Sequence, residues 1–77
     1  MEYNRHKVDE MTLALLLLTM FSDGNVTSAW KGRAWEVLDR LHDQGYISDP
    51  KGKAKSVVMT KEGIKRASDL FSTYFEQ

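Results

Sequence analysis

Cysteine is absent from this chain, proline occurs once, and eleven basic side chains are cancelled by eleven acidic ones. Each absence removes a class of explanation. Without cysteine there is no disulfide framework, no thiolate metal site and no cysteine nucleophile. The two histidines, His6 and His42, lie far apart and have no second ligand at metal-binding spacing. No apolar stretch reaches the ~20 residues that a bilayer-crossing helix needs; the longest runs from Met11 to Phe21 and contains Thr12 and Thr19. The opening residues, MEYNRHKVDEM, are polar and lack the pattern of a secretory leader. A soluble, cytoplasmic protein that does not engage a membrane is the expectation.

Enzyme signatures are missing too. The chain has no phosphate-cradling glycine loop, no nucleophile elbow and no metalloprotease helix. Its scattered acids form no pair set for proton transfer, and 77 residues leave little volume for a pocket. No catalytic residue, metal, cofactor or small-molecule substrate is expected. A single domain spanning residues 1–77 follows from the length, with residues 1–7 as a flexible N-terminal arm. A domain this small buries only about 60% of its unfolded surface, so it relies on a well-made core or on a partner chain.

Three helices can be read from what is present. Val8 to Phe21 carries Asp9 and Glu10 at its start, where the helix dipole favours negative charge, and then a run of strong helix formers. This helix is apolar nearly all round, which predicts burial on more than one side. SDGN at Ser22 to Asn25 is turn chemistry. The stretch from Asn25 to Gly32 is long enough for about two helical turns or an irregular loop. From Arg33 to Gln44, Ala34, Val37, Leu38 and Leu41 recur at helical spacing, and Gly45 stops the helix. YIS and SVVM then read as the two strands of a hairpin around Asp49-Pro50 and Gly52, and Thr60 caps a last helix bearing Ile64, Ala67, Leu70, Phe71, Tyr74 and Phe75.

Charge concentrates on that hairpin. Lys51, Lys53 and Lys55 alternate along its tip, and from Lys51 to Arg66 six basic groups face the single acid Glu62. The helix before it is mixed: Arg33 and Arg40 share it with Glu36, Asp39 and Asp43. Trp30 and Trp35, the only tryptophans, flank Lys31 and Arg33. Trp35 lies off the main apolar stripe, in line with Leu38 and His42, and is expected to be the exposed one; Trp30 is expected in the core.

The order of helix, Gly-Tyr-Ile, basic hairpin and VVMTKEG resembles the second half of bacterial winged helix-turn-helix regulators, over roughly Ala34 to Ala67. The whole chain looks closer to a family of small bacterial proteins of unknown function, with AWKG followed by Trp35, LDRLHDQGYISDPKGKAKSV and TKEG as landmarks. That resemblance implies a fold, an α+β winged-helix-like domain with three main helices and a two-stranded wing between the second and third. It implies no activity.

Two functions stand side by side at this stage. In one, a non-catalytic regulatory module holds double-stranded DNA through the phosphates, using Lys51, Lys53 and Lys55 with Lys31, Arg33 and Arg40. In the other, the lysines are a solvated hairpin tip. The module then binds a protein, or a second copy as a homodimer, through Trp30 and Trp35 or through Phe71, Tyr74 and Phe75. The last three are most simply core against the first helix.

Overall fold

Asn4 opens the first helix by accepting a hydrogen bond at its side chain from the Lys7 amide, 3.0 Å. The computed structural model describes residues 1–32, 35–52 and 54–76. Helix α1 spans Arg5–Leu16, so residues 5–7, expected in a flexible arm, form its first turn. It ends earlier than its run of leucines predicts. Leu17–Thr19 form a single 3-10 turn, after which the chain enters strand β1, Met20–Asp23. Strand β2, Val26–Trp30, returns antiparallel to it across Gly24 and Asn25. Gly24 has φ +64°, at the first central position of a two-residue hairpin, where glycine meets no steric penalty.

This hairpin corrects two expectations. Residues 20–21 leave the first helix, and residues 25–32 form neither a short helix nor an irregular loop. The physical reason is period-two patterning. Ala29 turns into the core while Val26, Ser28 and Trp30 take the other face, an alternation that only a strand satisfies. Once the turn pairs the two segments, ladder hydrogen bonds outweigh the helix propensity of the leucine run.

Helix α2, Trp35–Asp43, buries Val37, Leu38 and Leu41, as its spacing predicts. Gly45 closes it at φ +84°, with the Gly45 amide on the His42 carbonyl and the Tyr46 amide on the Leu41 carbonyl. Both bonds belong to a glycine-terminated helix end. The hairpin expected between YIS and SVVM is reduced to an Ile47–Met59 bridge flanked by bonds from the Ser48 amide to the Val58 carbonyl and from the Thr60 amide to the Tyr46 carbonyl. Strand β3, Ser56–Val58, pairs instead with β2, giving an antiparallel sheet in the order β1-β2-β3. Among the described residues the fold is therefore α+β with three helices and a three-stranded antiparallel sheet. Two of its strands lie between α1 and α2, so the expected two-stranded wing between the second and third helices is not the sheet's architecture.

Helix α3, Lys61–Phe75, starts at Thr60, whose hydroxyl accepts from the Gly63 amide at 2.9 Å and donates to the Gly45 carbonyl at 2.7 Å. It packs against α1, with Leu13, Ala14 and Leu16 meeting Ala67 and Leu70 in a core that the sheet completes with Ala29, Val57 and Met59. α1 is covered on two sides within one chain. Leu18, in the 3-10 turn that follows, is 68% exposed.

The start of α3 lies so close to the loop after α2 that a β-carbon on Gly63 would overlap the Tyr46 carbonyl. Both partners are backbone, so neither can swing away. Gly63→Ala is expected to lower unfolding free energy by about 3 kcal/mol, whereas Lys61→Ala on the same turn should change it by less than about 0.5 kcal/mol. Urea denaturation followed by circular dichroism measures both; a neutral Gly63→Ala would refute the close packing.

Candidate functional site

The end of β2, the start of α2 and the loop before β3 meet around Lys31. Its amide donates to the Lys55 carbonyl at 2.7 Å, extending the β2–β3 pairing by one step. Its ammonium donates to the carbonyls of Pro50 and Gly52 at 2.7 and 2.8 Å. Pro50 is itself fully buried, so the loop is pinned at two adjacent points. The same ammonium lies 5.7 Å from the ring centre of Trp35, within cation–π range.

Beside this clamp is an open cleft of about 460 Å³, inside the roughly 300–1,000 Å³ typical of small-ligand clefts. Trp30 and Trp35 line it, with Leu38, Gly52, Ala54, Lys31 and Lys55. The two indoles are 53% and 56% exposed. Trp35 stands as its sequence position predicts. Trp30 does not enter the core, because Ala29 takes the inward position of β2 and the next residue must face out. Phe21 supports it across the sheet, ring centres 5.1 Å apart. Among the described residues the cleft lining holds two lysines and no carboxylate.

The six basic candidates separate by what holds them. Lys31 is engaged by carbonyls of its own chain. Arg40 forms a two-point pair with Asp9 of α1, Nε to Oδ2 at 2.7 Å and Nη2 to Oδ1 at 2.8 Å. Asp9 is buried, 4% exposed, and its hydrogen bond raises the Arg40 pKa above the ordinary guanidinium value against the opposing effect of desolvation. Arg40 thus ties α2 to α1. Lys51 and Lys55 are exposed, and among the described residues neither side chain forms an ion pair. Arg33 and Lys53 lie outside the described residues.

The aromatic candidates also divide. Trp30 and Trp35 share the cleft. Phe71 packs half-buried against the core and meets Phe75 at 5.2 Å, while Tyr74 accepts a hydrogen bond from the Lys7 ammonium. These three belong to the end of α3 and do not line the cleft. Sequence reasoning missed Phe21, assigned to a helix, and the part Leu38 takes in the cleft; the alternation from Val26 to Trp30 is the signal that would have placed Phe21 on a strand. His42 donates its Nδ1–H to the Ile47 carbonyl, 3.0 Å, a bond that steadies the loop after α2.

Among the described residues no group of three acidic or histidine side chains is placed to hold a metal, and no helix is long and apolar enough to cross a membrane. Residues 4–77 match the family model described as Domain of unknown function (DUF6429). The chain belongs to that family. It is also similar to "Uncharacterized protein y4hR" of Sinorhizobium fredii (strain NBRC 101917 / NGR234), 47% identical over 75 residues and covering 97% of each chain. No solved structure matches it. The family expectation is thereby met, and the family's description attaches no chemistry to the cleft.

Four variants separate scaffold from surface. Arg40→Leu leaves Asp9 buried without a partner and is expected to cost about 3 kcal/mol, much of it recovered by adding Asp9→Leu. Lys51→Glu and Lys55→Glu should each stay within about 0.5 kcal/mol of the parent. Thermal and chemical denaturation of the four variants checks the assignment; equal destabilisation by the lysine variants would contradict it.

Proposed function

We propose that this chain is a non-catalytic nucleic-acid-binding module whose contact surface is the lysine loop together with the cleft beside it. The observation that carries this reading is the loop's geometry. Lys31 anchors the segment that bears Lys51 and Lys55, and both ammonium groups stand free of internal ion pairs among the described residues. A charge held on a pinned loop loses less side-chain and backbone freedom on meeting a phosphate than one on a floppy tip. In this reading the loop acts as a reduced wing, on a fold in which the β1–β2 hairpin stands directly before α2 in place of a second helix, and the work is done in the cytoplasm in a regulatory role.

A docked duplex fits this surface less well. α2 turns Glu36 and Asp43 outward, and Arg40 is held by Asp9, so a phosphate-lined groove would meet carboxylates along the helix. The net charge of zero also keeps long-range attraction weak and places the effect on local contacts.

A second reading rests on a different observation. Phe21, Val26, Trp30 and Val58 are all exposed, and strand alternation with the sheet register sets them on its outer face. An apolar face of this kind also suits a protein partner or a second copy.

Salt distinguishes the two. With two or three phosphates neutralised, the logarithm of affinity for labelled oligonucleotides should fall against the logarithm of salt with a slope of about −1.5 to −2. Anisotropy titrations at several salt concentrations read this slope, and the double variant Lys51→Glu/Lys55→Glu should abolish binding. A salt-insensitive complex, or self-association by light scattering that Phe21→Ser disrupts, would favour the apolar face.

A further inference from the structure

We infer that the cleft takes single-stranded nucleic acid, a base stacking on each of Trp30 and Trp35 while the adjoining phosphates meet Lys55 and Lys51. This inference rests on the nucleic-acid reading and narrows it from phosphate contact to a strand type. Four observations lead there.

Both tryptophans are more than half exposed in a chain that has little apolar surface to spare for its core. An indole is the side chain with most to gain from burial, so two exposed ones lining one cleft offer a large flat apolar area to a ligand. Their positions are fixed rather than adaptable. Trp30 is set outward by the inward Ala29 and supported by Phe21 at 5.1 Å, and Trp35 stands at the first turn of α2. Stacking on pre-set rings loses little conformational entropy.

The cleft is also charged in one sense. Lys31 and Lys55 line it, Lys51 follows on the same loop, and no carboxylate lines it among the described residues. An anion with flat apolar faces complements such a lining better than a neutral apolar peptide does. Aromatic platforms beside a basic track are how sequence-tolerant single-strand binding works, because every base has a face to stack. Finally, a duplex cannot use these rings. Its bases are already stacked on one another, and the acids of α2 oppose its backbone.

The test uses the full chain with a labelled twelve-nucleotide oligothymidylate and a duplex of equal length, at low salt. Intrinsic fluorescence is read beside anisotropy, and both tryptophans of the chain report from the cleft. The single strand should bind at least tenfold more tightly than the duplex and quench the emission. Trp30→Ala and Trp35→Ala should each weaken it about tenfold, with partial recovery in Trp35→Phe. Circular dichroism establishes that the variants remain folded. Equal binding of both forms with unchanged emission would overturn the stacking inference and leave the lysine-loop reading in place. Failure of the folded parent to bind either form would overturn both, and would turn attention to a protein on the outer sheet face.

Discussion

An ammonium held between two backbone carbonyls joins the two halves of the chain. Lys31 belongs to the end of the β1–β2 hairpin, and Pro50 and Gly52 belong to the loop that leads into β3. In water that ammonium would be fully hydrated; here two carbonyls from a turn replace part of its shell, and Pro50 is buried beneath. Charge-assisted bonds of this kind are roughly twice as strong as neutral ones. The loop's position, the shape of the cleft and the presentation of Lys51 and Lys55 all follow from it. Lys31 is thus the residue that sets where the loop lysines stand.

The same logic governs the rest of the scaffold. Arg40 with Asp9 and Thr60 with the Gly45 carbonyl are further joints, each binding elements apart in sequence. A domain of this length has little apolar area to bury. Polar joints at the corners therefore fix the relative placement of helices that a small core would specify only loosely. The polar joints leave the outer sheet face and the cleft uncovered.

Much of this was legible from residue order. The α2 stripe of Val37, Leu38 and Leu41, the stop at Gly45 and the Thr60 cap depend on local chemistry, and local chemistry is what a sequence displays. β1 was not legible because Met20 and Phe21 continue a leucine run, and only the pairing with β2 reveals them as strand. The wing was misjudged for a related reason. Ile47 and Met59 do meet, but β3 finds a longer partner in β2, a choice decided by tertiary contacts. The site was visible in part: Trp30, Trp35 and the loop lysines were singled out, yet nothing local distinguishes a lysine that binds carbonyls from one that faces solvent, or an arginine committed to an aspartate 31 positions away.

The most direct test of the cleft as a single-strand site is a two-dimensional NMR titration of the nitrogen-15-labelled chain with a short oligothymidylate. The account predicts that both indole N–H signals and the Lys55 amide shift together and saturate at one strand, while Arg40 and the amides of α3 stay in place. Indole signals that remain still through the titration, with shifts confined to other surfaces, would contradict it.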